Sequence, residues 1–308
     1  LDNFKLNSDL NTKIKFEIDK NFRIGKTSYF ISGDINNLKL RIDQKKVIKE
    51  FIPTFNPELI IKNAKINFEA LNGIKKDHSL KLEGEAKFGD KFELIKIEEF
   101  YNEKNKKYSI KGSSTLTNHK INISKLNYKK EKGKDSNISF DVDIIFNKYF
   151  LANKLLYSAK KSEIILNKIK LNKNFEVLDL ESLKVKTYEN EVKNNDFSIK
   201  KLEQIIISGE VFDAQPLLKS LYKKNKRKTF DKEFKGKLKI NFDKAITGTD
   251  DDIYNFGMIA SIKKGSYVKL SSKGKFSDKE IIEMSIYQID NNKKTLQVIS
   301  DRARPFIK

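Results

Sequence analysis

Leu80-Lys81-Leu82-Glu83-Gly84-Glu85-Ala86-Lys87-Phe88 sets apolar side chains on even positions and charged ones on odd positions, with Gly84 interrupting the apolar set. Successive side chains of a β-strand point to opposite sides, so this stretch reads as a strand with one buried and one solvated face. The same alternation returns in Ile138, Phe140, Val142, Ile144 and Phe146 against Ser139, Asp141 and Asp143. It returns again in Phe234, Leu238, Ile240 and Phe242 against Lys235, Lys237 and Lys239. Weaker copies run over Ile14 to Ile18, Leu38 to Ile42, Tyr108 to Leu116, Phe256 to Ile262, Val268 to Phe276 and Leu296 to Val298. Turn chemistry at Asn72-Gly73, Lys132-Gly133-Lys134 and Lys264-Gly265 separates them. The chain is therefore mainly all-β, with half-buried antiparallel strands.

Two segments keep helical spacing instead. Val47, Ile48, Phe51 and Ile52 do so until Pro53 stops them, and Asp213 is placed to cap a helix carrying Leu217, Leu218 and Leu221, with Pro216 in its first turn. Helices of about two turns cover little of a sheet of roughly fifteen to twenty strands, the number that the usual strand spacing allows. The apolar face must meet something else: a second sheet in a sandwich, closure into a barrel, or apolar ligand in the groove of a long curled sheet. Sandwich core is the plainest reading of the pattern alone, and the absence of a fixed repeat length speaks against a propeller or regular β-helix.

The 308 residues are 38% hydrophobic and include 22 Phe, enough to bury a sizeable core and to exclude wholesale disorder. With no cysteine there is no disulfide framework, no thiolate metal site and no Cys nucleophile. A net charge of +21 invites a nucleic-acid reading, but only Arg23, Arg41, Arg227, Arg302 and Arg304 carry the guanidinium fork that base recognition favours. The other basic residues are lysines spread along alternating segments, as on a solvated strand face, and no nucleic-acid partner is expected. The same charge suits anionic lipid head groups.

A search for chemistry finds little. His78 and His119 both stand in polar, turn-like contexts without a second ligand at metal spacing, and are expected to be surface turn residues. Thr249-Asp250-Asp251-Asp252 lacks the glycine and distal glutamate of an EF-hand loop and reads as a solvated hairpin loop. Asp141 and Asp143 share a strand face about 7 Å apart, as alternating strands often arrange, and are not expected to be catalytic. No phosphate loop, nucleophile elbow or zincin motif is present. No enzyme, cofactor or metal is expected. The one dense basic cluster, Lys223, Lys224, Lys226, Arg227 and Lys228, reads as a solvated helix end, with Lys223, Lys224 and Arg227 as candidates for head-group contact.

Two segments go further. Ser208-Gly209-Glu210-Val211-Phe212-Asp213-Ala214-Gln215-Pro216-Leu217-Leu218 resembles the "G, apolar, D, x, x, P, L, L" element of AsmA-like envelope proteins, the superfamily that includes TamB. Val298-Ile299-Ser300-Asp301-Arg302-Ala303-Arg304-Pro305-Phe306 resembles that family's "S-x-D-A-G" segment, departing from it in having Asp301 directly after Ser300 and Arg304 where glycine is common. The residues carrying the resemblance are Gly209, Asp213, Pro216, Leu217, Ser300, Asp301 and Ala303. It covers residues 205–308, an AsmA-like C-terminal-type β region with a short helix near 213–222; residues 1–204 are expected to continue an elongated antiparallel β-groove.

The resemblance implies a periplasmic protein of a Gram-negative cell, anchored in the inner membrane, whose curled sheet carries phospholipid acyl chains between inner and outer membranes. On this reading the lining candidates are Leu82, Phe88, Phe140, Val142, Ile144, Leu238, Ile240 and Phe242, and the partners are phospholipids, both membranes and envelope proteins. The sequence, which opens at Leu1 without an initiator methionine, looks like a fragment. No apolar run approaches the ~18 residues of a membrane helix, so an anchor is expected outside this chain. The alternatives are a scaffold or chaperone for outer-membrane protein assembly, as the family also implies, and a β-sandwich adhesin or binding module.

Overall fold

The computed structural model describes residues 4–42, 45–73, 76–146, 148–221, 235–249, 251–289 and 293–302. The chain is mainly β. In order it forms β1 (Lys5–Ile18), β2 (Ile24–Arg41), α1 (Lys45–Phe51), β3 (Glu58–Ala70), β4 (His78–Lys87), β5 (Phe92–Asn102) and β6 (Lys107–Thr115). There follow β7 (Ile121–Ile123), a 3-10 turn (Ser124–Leu126), β8 (Tyr128–Lys130), β9 (Asn137–Ile145), β10 (Tyr149–Ala159), β11 (Ser162–Leu171), β12 (Val177–Glu189), β13 (Val192–Lys201) and β14 (Ile205–Asp213). Then come α2 (Gln215–Leu221), β15 (Gly236–Ile246), β16 (Ile253–Lys263), β17 (Ser266–Lys275), β18 (Ile281–Gln288) and β19 (Lys294–Ser300). Each α helix is seven residues long, about the two turns expected of these segments.

The chain divides into two compact units, one of residues 1–122, 129–160 and 165–180, the other of residues 123–128, 161–164 and 181–308. In the first, β1, β2, β3, β4, β5, β6, β9 and β10 form one antiparallel ladder in that order. In the second, β12 to β19 follow one another in chain order, antiparallel at every step but one. Short turns suffice for the antiparallel steps of the second unit, whereas in the first β2 reaches β3 through α1 and β6 reaches β9 through β7 and β8. Lys264 and Gly265, both at positive φ (51° and 68°), join β16 to β17 in the two-residue form whose twist matches a hairpin.

The exception is β14 to β15, which pair in parallel. A parallel step requires a long connection, and the described part of the one between β14 and β15 opens with α2. Asp213 is buried at the end of β14, and its Oδ1 accepts the Gln215 amide at 3.0 Å, capping α2 as the sequence predicts. The Leu218 amide donates to the Ala214 carbonyl at 2.9 Å, closing the first helical turn around Pro216.

Gly209 serves the neighbouring strand. The β13–β14 register shifts between Asp196 and Phe197, and the bulge brings β13 backbone against Gly209, where a Cβ would stand 2.1 Å from the Asp196 carbonyl oxygen and 2.5 Å from Phe197 Cα. Gly209→Ala is therefore expected to destabilise the fold by about 1–3 kcal/mol, the usual cost of overpacking. Gly257→Ala, whose Cβ would meet only Asn241 Oδ1 at 3.7 Å, serves as the tolerated control. Urea midpoints of the two variants against wild type check the contrast.

Candidate functional site

Residues directly opposite in a ladder share a face, so the registers define what each face presents. In the first unit one row runs Leu10, Gly33, Ile66, Leu82, Ile97, Gly112, Phe140 and Leu155, one residue from each of eight strands. The adjoining row toward the β10 start carries Ile110, Val142 and Ala152, and the next Tyr108, Ile144 and Phe150. The Phe140 ring lies over Gly112, where a Cβ would approach it to 2.4 Å. On the other face the same strands present Asp9, Lys65, Glu83, Lys96, Lys111 and Asp141.

Ile35, Leu38, Ile61, Ala64, Leu82, Ala86 and Ile95 pack as a buried cluster on the apolar face. Phe140, Val142 and Ile144 remain only half-buried, and the apolar side chains of β1 are exposed. The described long strands belong to one large sheet, with β7 and β8 pairing as a separate two-stranded one, rather than to two large facing sheets as the sandwich reading of the pattern expects.

The two ends of the apolar face differ. At the β4 end, Phe88 lies past the last ladder pair, stacks on His119 at 4.4 Å with an interplanar angle of 2°, and tilts against the buried Phe55 at 6.4 Å. His119 is wholly buried, with Nδ1 3.2 Å from Thr54 Oγ1, so its expected place at the surface is overturned: the loops on either side fold over it. Beside it lie two more buried charges. Glu93 accepts from the Thr115 hydroxyl at 2.6 Å and the Asn118 amide at 2.5 Å, while Lys130 donates to the carbonyls of Leu116, Thr117 and Lys134 at 2.6, 3.2 and 2.9 Å. Burial pushes the pKa values of His119 and Lys130 down.

At the opposite end, rings from successive strands form a row. Phe68, His78, Tyr101, Tyr108 and Phe146 neighbour one another at centroid distances of 5.7, 4.9, 4.5 and 5.5 Å. His78 thus opens β4 within an aromatic row rather than standing in a solvated turn, because Asn72-Gly73 completes the turn before it. Its Nε2 lies 3.7 Å from Glu99, an inward-facing carboxyl whose pKa burial raises. Neither Glu93 nor Glu99 was anticipated, yet both share the odd parity of Ile95 and Ile97 on β5, and that parity is the signal that could have found them.

In the second unit the corresponding row is Leu183, Ile199, Ile207, Ile240, Met258, Ser272, Met284 and Val298. Leu238 and Phe242 flank Ile240 and are buried, with Leu238, Ala260 and Ile262 forming one cluster. Phe242 stacks on Phe212 at 4.9 Å and meets Phe197 edge-on at 6.0 Å. A buried polar network adjoins this aromatic cluster. Asn195 accepts the Asp213 amide at 3.0 Å and donates to Thr187 at 3.0 Å and the Leu126 carbonyl at 2.8 Å, and Asn127 donates to Asp213 Oδ2 at 2.9 Å.

The second motif is also structural in what it contacts. Ser300 Oγ donates to the Arg302 carbonyl at 2.6 Å, Asp301 Oδ2 accepts the Ile281 amide at 2.7 Å, and Arg302 pairs with both Asp251 and Glu280. Lys244 pairs with Asp252 at 2.8 Å, so both described carboxylates of the 249–252 loop are engaged. Ala303 and the candidates Lys223, Lys224 and Arg227 lie outside the described residues.

Asp141 and Asp143 are likewise engaged. The β9–β10 bulge turns Asn153 toward them, its amide donating to both at 3.2 Å. Burial raises the Asp143 pKa, but hydrogen bonds from Ser109 and Asn153 and the Lys107 ammonium outweigh it and hold the carboxyl below the usual range, unsuited to a general acid. A depression of about 900 Å³ in the first unit is lined mostly by polar residues, among them Lys65, Glu83, Glu85, Lys96 and Asn137, and so does not coincide with the apolar rows. Among the described residues no group of three His, Asp or Glu converges as a metal site, and no helix is long and apolar enough to cross a membrane.

Comparison with known proteins finds no matching family model, no matching curated protein and no matching solved structure.

The buried network gives two expectations. Asp213→Ala removes the α2 cap and one of the two acceptors of the Asn127 amide, which keeps Glu189 at 3.1 Å, a loss of about 1–2 kcal/mol measurable by urea denaturation. Because burial lowers the His119 pKa, the unfolded chain takes up that proton first on acidification. The stability tied to a neutral His119 is complete above the ordinary value of 6.5 and is lost as pH falls from there toward the lowered folded value. His119→Phe should flatten the difference in stability across this window, where the wild-type slope is at most ~1.4 kcal/mol per pH unit.

Proposed function

We propose that this protein is a non-enzymatic lipid conduit that carries phospholipid acyl chains along the apolar faces of its sheets. The observation that carries the reading is the largely apolar row spanning eight strands in each unit, the first of them mostly half-buried. Acyl chains laid on such a face gain about 0.8 kcal/mol for every CH₂ removed from water. The opposite, lysine-rich face stays solvated. The aromatic row and the His119 plug give the first unit's apolar face two chemically distinct ends, one half-open and one filled by protein.

The AsmA-like motifs support the same reading and extend it: a periplasmic protein held to the inner membrane by a segment outside this chain, passing phospholipids between the inner and outer membranes. Gly209 and Asp213, two of the residues that carry the resemblance, sit where backbone approach and helix capping need them. No step of this function needs a catalytic group or cofactor.

Ile144, on the same face as the first unit's row, and Ile240, within the second unit's row, are only half-buried, so a lysine at either can direct its ammonium to water while making the face polar. Wild-type protein made in a Gram-negative host and purified in mild detergent is expected to carry stoichiometric phospholipid by mass spectrometry. The Ile144→Lys, Ile240→Lys double variant should retain its β circular dichroism and lose that lipid. A lipid-free wild type whose variant unfolds would instead mean closed core, since a lysine cannot be buried without a partner, and would return the chain to the binding-module class.

A further inference from the structure

The aromatic end of the first unit's apolar face holds a carboxyl group among side chains that cannot pair with it. Directly opposite residues run Phe68, Leu80, Glu99, Ile110 and Val142 across β3, β4, β5, β6 and β9, so Glu99 interrupts a row that is otherwise apolar. The adjoining row carries His78, Tyr101 and Tyr108. Glu99 Oε1 is buried and has no hydrogen-bond partner among the described residues. A buried acceptor without a donor is costly, and native structures seldom keep one. The nearest polar group is His78 Nε2 at 3.7 Å, beyond hydrogen-bond reach.

The tautomer of His78 follows from its other nitrogen. Nδ1 lies 3.0 Å from the Lys76 carbonyl oxygen, which can only accept, so Nδ1 carries the hydrogen and in the neutral ring Nε2 is an acceptor. Glu99 and His78 therefore present two acceptors side by side without a donor. The lysines at this end are engaged elsewhere: Lys76 pairs with Glu103 at 3.4 Å, and Lys107 pairs with Asp143 at 3.4 Å on the opposite face. Burial accordingly raises the Glu99 pKa, the mark of a charge that lacks compensation.

We propose that Glu99 and His78 form a site for the primary ammonium group of an organic amine, which donates to the Glu99 carboxylate and to His78 Nε2 beside the Tyr101 and Tyr108 rings. A primary ammonium brings a hydrogen for each acceptor and the positive charge that Glu99 lacks. The two tyrosine rings, 4.5 Å apart and half-buried, add the attraction of their π faces for a cation partly removed from water. A quaternary ammonium has no N–H to give, and an anion is repelled by the carboxylate. The source of the amine rests on the conduit reading: it is the head group of an ethanolamine phospholipid, whose acyl chains follow the apolar rows that begin beside Glu99. A free amine of the same chemistry would bind without those chains.

Monomeric dihexanoyl phosphatidylethanolamine and dihexanoyl phosphatidylglycerol share their acyl chains and differ in the amine. Both are titrated calorimetrically into the 308-residue chain, with glycerophosphoethanolamine and glycerophosphocholine as chain-free probes. Wild type is expected to prefer the ethanolamine lipid about tenfold, the effect of one charge-assisted hydrogen bond. Glu99→Gln, which keeps the shape and removes the charge, should abolish the preference. His78→Phe keeps a ring in the aromatic row and should reduce it, whereas Glu83→Gln on the solvated face should leave it unchanged. Circular dichroism confirms that each variant is folded. If both lipids bind equally, or the preference survives Glu99→Gln, the amine site is overturned and the conduit reading stands. If the chain-free ethanolamine probe binds through Glu99 and acyl chains add nothing, the site stands and the conduit reading falls. Equal binding of the ethanolamine and choline probes, or no binding of any probe, overturns the proposal.

Discussion

A strand has two faces, and this molecule depends on holding one parity of residue to the same side across successive strands. A one-residue slip in any ladder would move a row of Ile, Leu and Phe into water and a row of Lys and Glu onto the apolar side. The registers keep Leu82 opposite both Ile66 and Ile97, and Ile240 opposite both Ile207 and Met258, so parity is passed from strand to strand. Nothing in this constraint needs a covering layer. It yields a continuous apolar surface first and leaves open what that surface meets, which is why the same face can be core in one protein and a lipid track in another.

Where the constraint is relaxed, local chemistry compensates. The bulge at Asn153 places an amide between Asp141 and Asp143, and the bulge at Asp196 needs the bare backbone of Gly209 beside it. Buried polar residues such as Glu93 and Asn195 find partners: Glu93 has a hydroxyl and an amide, and Asn195 spans Thr187, Leu126 and Asp213. Such groups specify the geometry around them more than they stabilise it, because their hydrogen bonds largely replace those made to water.

The parallel β14–β15 step shows one motif acting as a unit. Gly209 lets β13 approach, Asp213 ends the strand and caps α2, and Pro216 fits the first helical turn, where its missing N–H has no partner to lose. Ser300, Asp301 and Arg302 then tie the end of β19 to the β17–β18 turn and to the loop before β16. These motif residues organise backbone at places where the strand pattern changes, and the apolar rows lie between them.

Much of this was legible in the residues themselves. Alternation located strands such as β4, β9 and β15, the Asn72-Gly73 and Lys264-Gly265 pairs located hairpin turns, and Asp213 with Pro216 located α2, because each is a consequence of local geometry acting over a few residues. The two histidines were misread for the same reason: His119 is buried by loops distant in the chain, and His78 is in an aromatic row assembled from several strands, so neither environment is present in its own neighbourhood. β5 was missed although its odd positions alternate inward, since Glu93 and Glu99 interrupt the apolar signal. By itself, then, the sequence determined the β class, the parity of the faces and the capped helix, all of them short-range. Only the tertiary structure decided that β14 and β15 run parallel, which polar groups are buried with which partners, and that the first unit's long strands follow one another in a single ladder. Those outcomes depend on residues far apart in the chain meeting across a ladder, and no local pattern encodes such a meeting.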